Sequence, residues 1–354
     1  MTPPQVLHPF ASPGREAGEY LEVVRAEGCR LWDADGRSYL DGTASLWYCA
    51  AGHGRTEIVD AVNKQMREVE AFHTFSRFTN APEQRLAEIL LELTPIAGAR
   101  VLFTNSGSES IDSALKLIRA GHRAGGQAGR TIFLSRHYAY HGVMIGGTSL
   151  GGLPANRNGF GPLLPDTYQV DRDSIDAMRD AVAYHGEDRI AGILAEPVIG
   201  AGGVFPPPDG YLQGLRDLCD ECGAMLLFDE VITGFGRLGS WFASHHYGVE
   251  PDVMTFAKAV TSGYLPLGGV VVGPRLRGRL EADHEYLLAH GGTYAGHPTC
   301  CAAAVANLEI MRREDLPARA RSAGRRLREG LEGLAGHPGV TGVRGEGLMQ
   351  AVAL

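Results

Sequence analysis

Two stretches decide the fold: Ala224-Met225-Leu226-Leu227-Phe228-Asp229-Glu230 and, further on, Val253-Met254-Thr255-Phe256-Ala257-Lys258. Each is an unbroken apolar run of strand length that ends on ionisable residues. A run apolar at every position, not at alternate ones, suits a strand covered on both faces. Similar runs stand at Arg100–Phe103, Thr131–Leu134, Ile190–Leu194 and Gly269–Val272. Helical periodicity separates several of them, at Glu109–Ala120, Ser174–Ala183 and Tyr211–Cys222. Short buried strands alternating with helices predict an α/β fold, with a mostly parallel central sheet and helices on both faces.

The flanks read differently. Residues 1–52 are irregular, with short strands at Leu21–Arg25 and Cys29–Trp32 and a turn at Asp33-Ala34-Asp35-Gly36. Helices follow from Ile58 to Val69 and at Pro82–Leu93. Past His297 come helices Pro298–Arg312 and Ala318–Ala335, then strands Val340–Val343 and Leu348–Leu354. The expected division is a large domain over 53–297 and a smaller α+β domain built from 1–52 and 298–354. The chain stops inside an apolar strand, so the smaller domain is expected to be incomplete.

The net charge of −8 argues against a nucleic-acid partner, which needs a basic face. No apolar run is long enough to span a membrane. Met1-Thr2-Pro3-Pro4-Gln5 lacks a basic region followed by an apolar stretch, so no leader and a cytoplasmic location are expected. Cys219 and Cys222 form a C-x-x-C, but no second pair follows, and they read as ordinary thiols on a helix. His137 and His141 have H-x-x-x-H spacing without a third ligand cluster, so no metal is expected.

In open parallel sheets, ligands bind beyond the carboxyl ends of the strands. Five such ends carry chemistry. After Phe103 comes Thr104-Asn105-Ser106-Gly107-Ser108-Glu109, where Ser106 and Glu109 have capping-box spacing and small residues leave helix N–H groups open to an anion. A plain helix cap explains the same residues. After Leu134 come Tyr140 and His141, an aromatic ring and an imidazole. After Ala195 comes Glu196. Asp229 ends an apolar strand, where a carboxylate needs a partner. A protonated pyridine nitrogen is one; a cap on the next turn is another. Lys258 ends the last run, where desolvation makes an amine nucleophilic toward aldehydes, although a snorkelling strand-end lysine fits too.

Together these residues resemble the class III aminotransferases, a fold-type I family of pyridoxal-phosphate enzymes. The specific stretches are Leu226–Gly239, with Asp229-Glu230-Val231-Ile232-Thr233-Gly234-Phe235-Gly236-Arg237, and Ala257–Gly268 around Lys258. The resemblance runs from about Leu31 to Leu354. It implies that Lys258 carries pyridoxal 5'-phosphate as a Schiff base and moves the substrate proton. It implies that Asp229 holds the pyridine nitrogen, that Gly107 and Ser108 hold the phosphate, and that Tyr140 and Val231 cover the two ring faces. It also implies that His141 and Glu196 sit close behind. Thr293, in His290-Gly291-Gly292-Thr293, matches a position that binds phosphate across a homodimer interface; a turn residue is the plainer reading.

Asp41–Trp47 and Phe72–Phe75 look like the ω-transaminase branch, which moves an amino group from an amine or ω-amino acid to a 2-oxo acid such as pyruvate. Trp47, Tyr48 and Phe75 are then substrate-pocket candidates, with core packing as the alternative. Family members continue past Val343–Leu348, and in this branch the later part supplies an arginine that clamps the substrate carboxylate. Alternatives are an aminomutase, racemase or decarboxylase on the same scaffold, or an inactive truncated cofactor-binding subunit.

Overall fold

The computed structural model describes residues 5–354. Residues 1–4, where the expectation of no leader began, lie outside the described residues. Strands β1 (Val23–Glu27), β2 (Arg30–Asp33) and β3 (Ser38–Leu40) form a small antiparallel sheet. One left-handed turn follows at α1 (Ala44–Trp47), where all four residues have positive φ. Helices α2 (Thr56–Glu68) and α3 (Ala81–Leu93) come next, the second capped by the Asn80 side chain, which accepts from the Glu83 N–H at 2.9 Å.

The central unit then alternates. Its elements are β4 (Arg100–Thr104), α4 (Gly107–Ala124), β5 (Ile132–Arg136), α5 (Ile145–Leu150), α6 (Pro154–Arg157), β6 (Thr167–Val170), α7 (Ile175–His185), β7 (Ile190–Ala195), α8 (Tyr211–Cys222), β8 (Met225–Asp229), α9 (Ala243–Tyr247), β9 (Val253–Phe256), β10 (Gly268–Val272) and α10 (Pro274–Glu281). The chain closes with α11 (Pro298–Arg313), α12 (Leu316–Glu332) and the hairpin β11 (Gly342–Glu346) and β12 (Met349–Ala353).

Seven strands form one sheet in the order β4-β10-β9-β8-β7-β5-β6. All run parallel except β10, which is antiparallel to both neighbours. The mostly parallel sheet read from the apolar runs is therefore correct. Every β8 residue is buried, and its side chains alternate between two cores. Leu226 and Phe228 pack with Met178, Val182, Leu212 and Leu215 of α7 and α8. Met225 and Leu227 face the other way, onto Ile111, Leu117 and Ile118 of α4. Each such side chain contributes about 1.5–3 kcal/mol by leaving water. A third core joins Phe103 and Phe256 to α3 and α11 through Leu86, Leu90, Ala304 and Leu308.

Several boundaries move. Helix α4 starts two residues before the predicted Glu109 and runs on to Ala124, and α12 stops at Glu332 rather than Ala335. Strand β6 and helices α5, α9 and α10 had no sequence expectation. Cys219 and Cys222 are buried free thiols on α8, and burial raises both above the ordinary thiol range. Among the described residues no helix is long and apolar enough to cross a membrane.

Candidate active site

The carboxyl ends of β4, β5, β7, β8 and β9 lie on one edge of the sheet, and a cavity of about 200 Å³ opens there. Gly107, Ser108, Tyr140, His141, Glu196, Asp229, Val231 and Lys258 all line it. Eight residues singled out in the sequence are thus brought together. Gly142 and Ile232 line it as well and were missed. Gly142 adjoins the flagged Tyr140-His141 pair and could have been found; Ile232 reads as ordinary apolar sequence.

Helix α4 starts at the cavity wall. Ser106 caps it, its Oγ accepting from the Glu109 N–H at 3.1 Å. The capping box closes in an altered form: Glu109 reaches back to the Asn105 N–H and side-chain amide, both at 2.9 Å. The N–H groups of Gly107 and Ser108 lie in the first turn, where no intrahelical acceptor exists, and suit an anion. A side chain at position 107 would approach Val231 Cγ1 to 2.9 Å, so glycine there keeps the space open. The Ser108 hydroxyl accepts from the Val143 N–H at 3.0 Å, and its own proton remains available.

Asp229 is 5% exposed and accepts three hydrogen bonds, which leaves it room for one more. Its Oδ1 accepts from the Val231 N–H at 3.1 Å and the Thr255 hydroxyl at 3.2 Å. Its Oδ2 lies 2.9 Å from His141 Nδ1, which fixes that nitrogen as the donor to the carboxylate. The opposite nitrogen, His141 Nε2, is buried with no partner among the described residues. Glu230 points elsewhere: it accepts from Thr233, Ala243 and Ser244 and starts α9. Glu196 accepts from the Tyr140 N–H at 2.9 Å and the Gly200 N–H at 2.8 Å, and burial pushes its carboxyl upward.

Lys258 follows β9 in a 3₁₀ turn with φ +48°. Burial pulls its amine below the ordinary lysine range, while the Asp229 and Glu196 carboxylates pull it back. The nearby Arg237 guanidinium adds to the lowering. Arg237 also donates to the Trp47 carbonyl at 2.8 Å and so ties the left-handed turn to this region. That turn is organised by Asp41, which accepts from the Ser45 N–H at 2.7 Å and hydroxyl at 2.5 Å and lies 3.2 Å from His53 Nε2. Cys49 completes a donor group with Asp41 and His53 within 4.8 Å. The Asp41 carboxylate is held by three contacts within this segment, which supports a structural hub.

The remaining candidates lie apart from the cavity lining. Trp47 packs against the core of Val198, Ile232 and Met349, one of whose members borders the cavity. The Tyr48 ring covers Gly263, just past the Lys258 turn. Phe75 stands elsewhere, at a depression of about 490 Å³ shared with Leu287, His290 and Gly291. Thr293 is exposed on that same loop. Phe75 therefore does not line its own chain's cavity. A neighbouring chamber of about 490 Å³, lined by Phe10, Val143 and Phe160, shares Tyr140 and Gly142 with the cavity.

Known proteins share this fold. The family model for class-III aminotransferases matches residues 12–354. A β-alanine–pyruvate aminotransferase from Pseudomonas aeruginosa is 37% identical over 353 residues, covering 94% of this chain and 79% of that protein. The crystal structure of an (S)-enantioselective ω-transaminase from Thermomicrobium roseum superimposes with a TM-score of 0.94 at 40% identity, covering 98% of this chain and 81% of that one. An amine transaminase from an uncultivated Pseudomonas species, solved in its PLP-bound form, gives 0.93 at 36% identity, with 98% and 83% covered. The chain belongs to the class-III aminotransferase family, and transamination is its reaction class.

Proposed function

We propose that this protein is a pyridoxal-phosphate-dependent ω-transaminase that moves an amino group from an amine or ω-amino acid to a 2-oxo acid such as pyruvate. The observation that carries this reading is the single cavity joining Lys258, Asp229, Tyr140, Val231 and the first turn of α4. Its donors suit the cofactor: an amine for an aldehyde, a carboxylate for a ring nitrogen, and helix N–H groups for a phosphate. When bound, pyridoxal phosphate supplies an aldehyde that takes up the substrate nitrogen and a ring that draws electrons from the adjacent carbon.

The chain's own groups do the rest. Asp229, oriented by its three hydrogen bonds, would face the ring nitrogen. His141 orients that carboxylate. Gly107 and Ser108 would hold the phosphate, and Tyr140 and Val231 would cover the ring. Glu196 fixes the Tyr140 backbone. The lowered amine of Lys258 would be the covalent anchor for the cofactor and the group that holds and moves the proton. Trp47 and Tyr48 border the substrate side. The active unit is a homodimer, with Thr293 and Phe75 reaching the partner's site.

Borohydride reduction of the holoenzyme followed by peptide mapping tests the anchor. The expected label sits on Lys258, and a reducible cofactor adduct in K258A overturns the assignment. Incubation with β-alanine and pyruvate tests the reaction. Alanine should form; decarboxylation or racemisation of the donor without alanine rejects the transaminase reading.

A further inference from the structure

We propose that His290 is a positioning residue that locks the Thr293 loop onto α4 so that Thr293 can reach the phosphate site of a second copy. The proposal rests on the cross-subunit role of Thr293 given above. His290 Nδ1 lies 2.9 Å from Lys116 Nζ, and its Nε2 lies 2.9 Å from Ser113 Oγ. Ser113 and Lys116 are three residues apart and share one face of α4. The same helix opens at Gly107, in the cavity wall. One helix thus borders its own phosphate site and anchors the loop destined for another.

Few polar contacts hold the loop there before His290. Its backbone hydrogen bonds are local, such as Tyr286 to Asp283 and His290 to Leu288. Leu287 is 81% exposed. Past His290, Gly292 abuts Glu109, and the Thr74 hydroxyl reaches the Ala295 carbonyl at 3.0 Å. Leu288 packs against the apolar core that includes Ile111 and Ala114 of α4, and the imidazole adds the polar side-chain tie on the half of the loop up to His290.

The hydrogen-bond pattern allows one protonation state. An ammonium only donates, so Nδ1 must accept, and Nε2–H must donate to Ser113. A protonated ring would set an N–H against the Lys116 ammonium. Lys116 and Glu109, both on α4, are the charged groups facing His290; the depression on its other side is lined by uncharged residues, among them Thr74, Phe75 and Leu102. Burial and Lys116 lower the imidazole below its usual value of 6.5, and Glu109 opposes them. The lock holds while the ring is neutral and opens on the acid side.

The test is the rate of pyridoxal-phosphate release from the holoenzyme between about pH 5 and about pH 8. Wild type should release faster at the acid end. H290A should release about tenfold faster than wild type at neutral pH, the usual scale for a lost charge-assisted bond. H290Q keeps an acceptor for Lys116 and a donor for Ser113, so it should retain cofactor and lose the acid acceleration. H290A behaving as wild type, or an unchanged acid step in H290Q, overturns the proposal. T293A should match H290A; unchanged release in T293A rejects the cross-subunit reading instead. Hydrogen exchange over residues 286–296 then still decides the anchor: exchange no faster in H290A than in H290Q rejects it.

Discussion

Lys258 sits in the left-handed region, which costs a non-glycine residue on the order of 1 kcal/mol or more. The strain falls where β9 must turn sharply and present the amine at the sheet edge. The residue's identity was legible because a lone lysine ended an apolar run. Its backbone strain was not, since nothing in Ala257-Lys258-Ala259 favours positive φ. The same holds for Glu230, which shares the motif with Asp229 yet faces away and caps α9. Alternation along a strand requires that split, but the sequence does not say which of the two faces the cavity. The depressed amine has a consequence for stability. Its folded pKa lies below its unfolded one, so between them the unfolded chain holds more protons and stability rises with pH. The urea midpoint of cofactor-free wild type should therefore gain on that of K258M as pH climbs toward the ordinary lysine value of 10.5. A difference that stays flat with pH would mean that burial does not penalise this ammonium.

At the scale of elements, the strands buried on both faces were the readable ones. Arg100–Phe103, Ala224–Phe228 and Val253–Phe256 all became strands within two residues of expectation. Strand β6 escaped because Thr167-Tyr168-Gln169-Val170 is a sheet edge with partly exposed side chains and no apolar run. The reversal of β10 escaped for another reason: direction depends on strand order, which an apolar run does not encode. Helix α5 was hidden by Gly146 and Gly147, which disfavour helices by about 1 kcal/mol each. Packing explains these glycines. A methyl at Gly147 would overlap the His141 carbonyl, the backbone that aims the imidazole at Asp229. G147A improves helix propensity but forces backbone to move, so it should lower stability by about 1–3 kcal/mol and weaken cofactor binding. Urea unfolding and cofactor titration check both effects. A stabilised G147A with wild-type affinity would show that α5 does not brace His141.

The molecule as a whole leaves an apolar surface beside the loop of Thr293. Phe72, Phe75 and Phe78 are 54%, 46% and 43% exposed, and Leu287 and Tyr294 are 81% and 62% exposed. The Phe72 and Phe78 rings meet edge to face at 5.3 Å, with His73 stacked against Phe72. Contiguous apolar exposure of this kind marks an interaction surface rather than a solvated face. In the sequence Phe75 looked like a lining residue of its own chain's pocket, because motif spacing cannot tell which copy a side chain serves. Its place next to His290 and Gly291 sets it beside the Thr293 loop, so the proposed contact between copies would include it. Assembly and cofactor retention should then fail together. F75D puts a carboxylate into that contact and should shift sedimentation velocity toward monomer, with cofactor lost on gel filtration. Y184D makes the same change at Tyr184, 85% exposed on α7, and should alter neither. If F75D sediments as wild type and keeps its cofactor, this aromatic surface is not where two copies meet.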